Sequence, residues 1–311
     1  MNQDVLVEVK DFKKYFTINK YMKLRSLDSL NFKIKKGQTF SLVGETGCGK
    51  STCGRTLVNA LPPSEGAVFY DGKDISHMDE YEKQCLRKKV KIIFQNPCAA
   101  LNPQLTVHKL IAEQVDTHFP ARSYQAQQNR ISFILEQIDL DSHYRNELIY
   151  ELPDNQLYLV AIALALAASP ELIVCDEPIS ASNDQFQTKI ISLLKELQND
   201  LGLTYLFISS RLSMVKHVSD QIGIMHLGTL VELTNNQLLS SKKMHPYTKS
   251  LMSESTVNAN NKRAVKGETV RLSKGCSYVS QCLHAGLICQ KKLPEMIEIE
   301  ANHFVACHLY D

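Results

Sequence analysis

Apolar positions along this chain recur at two spacings. Val5–Phe16 and Leu27–Ile34 alternate apolar and polar residues, the pattern of a strand buried on one face. Five short runs are largely apolar: Thr39–Val43, Val90–Phe94, Leu172–Asp176, Tyr205–Ser209 and Gln221–Met225. Runs of this length predict strands covered on both faces. Ala67–Tyr70 followed by Asp71-Gly72-Lys73 predicts a short strand and a turn, and Lys35-Lys36-Gly37 predicts a turn into the strand at Thr39. Helical spacing takes over at Ser51–Leu61, through residues of about 104–168, and at Gln187–Leu201, where Ile190, Ile191, Leu193, Leu194 and Leu197 share a face. Strands alternating with helices predict an α/β chain with a largely parallel sheet. Residues 253–270 are polar and aperiodic and read as a linker, with a Cys-containing tail at 271–311.

Composition narrows the class. Hydrophobic residues make up 44% and charged residues 22%, an ordinary globular balance. A net charge of +2 is too small to argue for nucleic acid. The longest apolar run, Leu157–Ala168, falls short of the ~20 residues of a membrane span and reads as a buried helix. The N-terminal stretch has acidic residues and no apolar core, so no export signal is read there, and the 9 cysteines are expected to be thiols or metal ligands.

The stretch around which the chain is organised is Ser41–Thr52. Gly44, Glu45, Thr46, Gly47, Cys48, Gly49, Lys50 and Ser51 spell G-x-x-x-x-G-K-S, with Thr52 next, between an apolar run and a helical one. That is the setting of a phosphate-binding loop. Backbone N–H groups and the positive end of the following helix face a phosphate. Lys50 supplies a mobile charge for the β- and γ-phosphates, and the Ser51 hydroxyl is placed for Mg²⁺. Asp176 and Glu177 end the Leu172–Asp176 run. An Asp so placed holds Mg²⁺ and the next carboxylate orients or deprotonates the attacking water; the alternative is an acidic pair capping a helix. Gln95 ends its own apolar run and reads as a Mg²⁺ or water ligand or as a plain loop residue. Phe16, or its neighbour Tyr15, is a candidate to stack on a base or an ordinary half-buried strand aromatic.

Taken together, GETGCGKST, IIFQNPCAALNP, DEPISASN, LFISSRLSMVKHVSDQIGIMHLG and HPYTKSLM make the chain resemble the ATP-binding subunits of ABC transporters, and among them those that drive dipeptide and oligopeptide importers. The resemblance runs over nearly the whole chain. It implies an ABC ATPase fold at 1–252, with an antiparallel β subdomain and an inserted helical subdomain at about 104–168. It implies ATP and Mg²⁺ as cofactors and a head-to-tail dimer with a second ATP-binding subunit. The expected partners are two transmembrane permease subunits and, indirectly, a periplasmic or surface peptide-binding protein, with no nucleic acid. The expected location is peripheral, on the cytoplasmic face of the inner membrane.

Three departures from the family pattern bear on mechanism. The S-G-G-Q signature is replaced by Leu152-Pro153-Asp154-Asn155-Gln156. Pro153 has no N–H to offer, and a carboxylate at Asp154 opposes a phosphate. Asp154 or Asn155 is expected to cap a helix from Gln156 to Ala168 instead. Ser210 stands where the family has a catalytic His, and a lost group of that kind costs about 10²–10⁴ in rate. Ser180-Ala181-Ser182-Asn183 replaces S-A-L-D, turning a carboxylate into an amide. The expectation is an ATP-binding subunit with impaired hydrolysis, paired with a better-equipped partner, or a gene drifting from function. The alternatives are a regulatory or structural subunit without turnover, and a soluble ABC ATPase acting on nucleic acid.

In the tail, Cys276, Cys282, Cys289 and Cys307 lack C-x-x-C spacing, so spacing alone leaves a metal site and unrelated thiols both open. The resemblance implies a [4Fe–4S] cluster on these four, with Zn²⁺ as runner-up. His245-Pro246-Tyr247-Thr248 reads as a surface turn before a helix and is assigned no chemistry.

Overall fold

In the computed structural model of the chain, which describes residues 4–19, 22–120, 123–177, 184–240, 243–254 and 275–311, the first alternating run becomes a long strand, β1 (Val5–Asn19). It folds back antiparallel on β2 (Met22–Lys35), with Val9 opposite Phe32 and Phe12 opposite Leu30. The turn at Lys36-Gly37 leads into the fully buried β3 (Thr39–Val43). Helix α1 (Lys50–Leu57) is shorter than the expected Ser51–Leu61. Asn59, with φ 56°, leaves helical space two residues beyond it, and Pro62-Pro63 then exclude another turn. β4 (Glu65–Tyr70) pairs with β1 and turns through Asp71-Gly72, both at positive φ, into the two-residue β5 (Lys73–Asp74). These strands form an antiparallel sheet in the order β2-β1-β4-β5.

Residues Asp79–Tyr205 form a compact unit of their own. Helix α2 (Glu80–Lys89) starts on a capping box, with Asp79 and Glu82 exchanging side-chain bonds to backbone N–H groups. β6 (Val90–Ile93) follows. Thr106 caps α3 (Val107–His118) and Ser123 caps α4 (Tyr124–Gln137). Both pack against α5 (Asp154–Ala167). α5 is apolar almost all round, as a helix covered on every side must be. Arg130 of α4 donates to the Leu166 carbonyl at 3.0 Å, satisfying an orphan acceptor in the last turn of α5. β7 (Leu172–Asp176) lies parallel to β6, Ile93 opposite Cys175, and α6 (Asp184–Leu201) follows.

The second unit of the chain joins Met1–Met78 to Leu206–Asp311, so the division falls within the buried β8 (Thr204–Ser209). After the short α7 (Leu212–Val215), β9 (Gln221–His226) runs parallel to β3, with Val43 opposite Ile224. Leu227 and Gly228, at φ 44° and 80°, turn the chain into the antiparallel β10 (Thr229–Thr234). α8 (Pro246–Glu254) takes in Ser253 and Glu254, which the sequence assigned to the linker; the rest of that linker lies outside the described residues. In the tail, α9 (Leu287–Lys291), β11 (Ile297–Glu300) and β12 (His303–Val305) have no counterpart in the hydrophobic pattern. β12 pairs with β10, so within this unit the strands run β11-β12-β10-β9-β3.

Candidate functional site

β3 delivers the chain to the phosphate loop. Gly44 N–H donates to the Ser209 carbonyl at 3.3 Å, and a Cβ on Gly44 would lie 2.1 Å from the Met225 carbonyl oxygen. Gly49 has φ +106°, and its Cβ would lie 2.5 Å from the Ser26 carbonyl oxygen. Only glycine fits at either position. Glu45, Thr46 and Gly47 form the exposed crest, while Cys48, Gly49 and Lys50 are buried. Lys50, although charged, is only 4% exposed. Its Nζ donates to the carbonyls of Gly44 at 2.7 Å and Glu45 at 2.9 Å. The loop's own acceptors therefore hold the ammonium inside the turn. Ser51 is half-buried in the first turn of α1, and the Thr52 hydroxyl accepts from Ser26 Oγ at 3.1 Å, tying α1 to β2. Burial raises the Cys48 thiol above its usual range, so it stays protonated at neutral pH.

Three further residues of this unit bear on the loop. The Ser209–Gly44 bond sets the half-buried Ser210 one residue from the point where the loop begins. Ser209 Oγ accepts from Arg211 N–H at 3.0 Å, holding this strand end in place. Tyr247 corrects the reading of 245–248 as a surface turn. It is fully buried, and its hydroxyl accepts from the Glu45 N–H at 3.0 Å. No local pattern pointed to it, because the two residues lie 202 positions apart. Phe16 and Tyr15 are both half-buried on β1, with Lys14 Nζ 5.6 Å from the Phe16 ring and the Arg25 guanidinium 5.6 Å from the Tyr15 ring.

In the other unit, the parallel register of β6 and β7 brings Gln95 and the acidic pair out at the same sheet end, each just past the matched Ile93 and Cys175. Asp176 is buried, Glu177 half-buried and Gln95 exposed. Glu177 sits at φ 48°, a strained conformation for a residue with a Cβ and of the kind found at functional sites. Residues 178–183, including Ser180–Asn183, lie outside the described residues. The expectation that Asp154 or Asn155 caps a helix is overturned. Pro153 occupies the N-cap position at φ −63°, no side chain caps the helix, and Asp154 is its first residue. The Pro153 carbonyl takes the N–H groups of Gln156 and Leu157, and the Asp154 carboxylate lies where the helix dipole favours it by about 0.3–1 kcal/mol.

The four tail cysteines line one cavity of about 170 Å³, together with His245, His284 and His308. Cys276 and Cys307 are buried, Cys282 and Cys289 half-buried. Cys276 N–H donates to the Cys289 carbonyl at 2.7 Å, closing the module on itself. Burial, with the neighbouring thiols adding to it, pushes Cys307 up to about 11. Among the described residues no three His, Cys, Asp or Glu converge closely enough to hold a single metal ion. Beneath the cavity, Glu232 of β10 is fully buried. It accepts from the His245 N–H at 2.8 Å and the Thr248 hydroxyl at 2.6 Å, and its other oxygen meets His303 Nε2 at 2.9 Å. Burial pushes the His245 imidazole down to about 3, with His226 adding to the effect.

The family model described as ABC transporter matches residues 27–180. The oligopeptide transport ATP-binding protein AppF of Bacillus subtilis is 38% identical over 99% of this chain and 98% of its own length. The chain belongs to the ABC transporter family. A second relative, the putative oligopeptide transport ATP-binding protein YkfD of the same organism, is 40% identical over 98% of this chain and 95% of its own length. Among solved structures, the ATP-binding cassette MJ0796, a dimer in a post-hydrolysis state bound to ADP and Pi, superposes with a TM-score of 0.67 at 26% identity. It covers 74% of this chain and 99% of the cassette. As an ABC ATPase, the chain has ATP and Mg²⁺ as its cofactors. The loop suits the nucleotide: its backbone leaves no room for a Cβ at Gly44 or Gly49, and an ammonium is already held within it. Among the described residues no helix is long and apolar enough to cross a membrane.

Proposed function

We propose that this ABC chain energises import of dipeptides or oligopeptides, as one of two ATP-binding subunits bound to two membrane permease subunits at the cytoplasmic face of the membrane. The observation that carries this is the relationship to oligopeptide transport ATP-binding proteins along almost the full chain, tail included. Lys50 and the loop N–H groups hold the β- and γ-phosphates, and Ser51, Gln95 and Asp176 serve the Mg²⁺. Glu177 orients and deprotonates the attacking water, and Ser210 takes the place of a γ-phosphate-sensing imidazole. A Ser donates one hydrogen bond and carries no charge, so hydrolysis on this chain's own nucleotide is slow. Pro153 and Asp154 weaken what this chain offers to a partner's nucleotide, which supports a heterodimer whose second subunit differs. A reading without any turnover is favoured by the same two features. Reconstitution into vesicles with the permease subunits and the second ATP-binding chain tests the importer, and single-turnover hydrolysis compared between the native chain and Lys50→Ala separates slow turnover from none. ATP-driven uptake of labelled peptide that is lost in Lys50→Met supports the importer. Uptake that ignores ATP in the native chain overturns it.

The tail cysteines are assigned a [4Fe–4S] cluster, with Zn²⁺ as the rival. Four thiols around one cavity are the donor set that either group takes, and the likeness to peptide-importer subunits weights the choice toward the cluster. When bound, such a cluster cross-links the tail through its thiolates. Brown protein with about four iron atoms per chain after anaerobic purification is the expected result; colourless protein carrying zinc selects the rival.

A further inference from the structure

His245 is 1% exposed and lines the thiol cavity. Its Nδ1 accepts the Tyr247 N–H at 3.1 Å. In a neutral imidazole the proton then sits on Nε2, and among the described residues this buried Nε2 has no hydrogen-bond partner. A buried donor left without an acceptor is destabilising, so the cavity calls for an acceptor at this position. The cavity it lines carries the four cysteine sulfurs. Thiolate or sulfide bound to a metal accepts such bonds, and they tune metal affinity.

The same segment reaches the nucleotide. Two residues from His245, the Tyr247 hydroxyl takes the Glu45 N–H of the phosphate loop at 3.0 Å. Tyr278, between Cys276 and Cys282, packs against Tyr247 with the rings tilted at 56° and their centroids 5.3 Å apart. Its hydroxyl donates to Ser250 Oγ at 3.4 Å, which in turn donates to the Tyr247 carbonyl at 2.9 Å. One apolar cluster runs from Val43, the last residue before the loop, through Tyr247 and Tyr278 to Cys276, with Cys282 and Cys289 packed against it.

We infer that the thiol cavity is a regulatory site for the phosphate loop. His245 Nε2–H donates to a metal-bound sulfur in the cavity, and Tyr247 carries the filling of that cavity to the Glu45 amide. Tyr247 is a positioning residue: it touches neither metal nor nucleotide and acts on the loop through Glu45. A filled cavity fixes the tail, the tail fixes the tilted Tyr278–Tyr247 pair, and that pair fixes the loop in its phosphate-accepting form. ATP affinity therefore follows metal content, and by reciprocity ATP strengthens metal retention. This rests on the assignment of a thiolate-bound metal group to the tail.

The test uses the full chain, purified and reconstituted anaerobically with iron and sulfide or with zinc, and compared with the same protein stripped by a chelator. Metal analysis is read alongside calorimetric titration with Mg-ATP. Stripping is expected to weaken ATP binding about fivefold or more. In Tyr247→Phe, which keeps the ring and removes the hydroxyl, loaded and stripped protein are expected to bind ATP equally. His245→Asn keeps an acceptor for the Tyr247 N–H and loses the cavity donor, so metal retention should fall about tenfold. His245→Gln, whose amide reaches to the Nε2 position, should restore it. Metal bound, with ATP affinity unchanged on stripping, overturns the coupling alone. No iron or zinc retained after reconstitution overturns the metal assignment and the coupling together.

Discussion

Replacing Lys50 by Met removes the ammonium and leaves most of the buried stem in place. In the free chain that ammonium makes two short bonds, to the Gly44 and Glu45 carbonyls. Bonds to a charged group contribute about 1.5–3 kcal/mol each. On nucleotide binding they are exchanged for bonds to phosphate oxygens, so only the surplus of phosphate over carbonyl appears as affinity. Two bonds to anionic oxygens in place of two to neutral ones leave a surplus of about 2.7 kcal/mol, or roughly 100-fold in Kd. The variant should also unfold at a lower temperature, because two loop carbonyls lose their donor. Calorimetry with Mg-ATP gives the first quantity and thermal unfolding without nucleotide the second. An ATP affinity within threefold of the native chain, in a variant that folds, would refute the assignment of Lys50 to the phosphates.

Restoring the family residues at the start of α5, by Pro153→Ser with Asp154→Gly and Asn155→Gly, should raise single-turnover hydrolysis in the assembled dimer by tenfold or more; Ser210→His should raise it separately. An unchanged rate in both would place the block elsewhere. Glu232→Ala strands the buried His303 and the Thr248 hydroxyl and should lower unfolding free energy by about 3 kcal/mol, read from urea titration. The His118 imidazole is pushed down to about 4, by burial first and then by the charges of Lys91 and Lys88; its Nε2 lies 3.0 Å from Lys91 Nζ, which donates to it. Its folded value lies below its unfolded one, so stability is full above about pH 6.5 and falls as the pH drops toward 4. His118→Gln should flatten that slope between pH 7 and 5, and an unaltered slope would assign the loss to other groups.

How much of this could be read from the chain depended on range. The buried strands at 39–43, 172–176 and 205–209 announce themselves because every residue in them is covered. The loop at Gly44–Ser51 is legible because its glycines answer a local demand, room beside Met225 and Ser26. Tyr247 was not legible: its partner is Glu45, and nothing in HPYT marks a buried hydroxyl. Glu232 drew no reading from the sequence, yet it is the hub of a buried hydrogen-bond network completed by His303 of the tail. The start of α5 misled for a local reason. Asp and Asn favour caps, but Pro153 already has the extended backbone that the cap position needs, which moves Asp154 into the helix.

Because β12 docks on β10, the strand layer that bears the nucleotide loop borrows its flank from sequence far downstream. A truncation product ending before His303 would expose the backbone of Thr229–Thr234 along that flank. Bare strand flanks pair with whatever strand they meet. Trimming the cysteine module away would therefore yield a sticky protein, and its poor recovery would reflect a naked sheet margin as well as missing thiols.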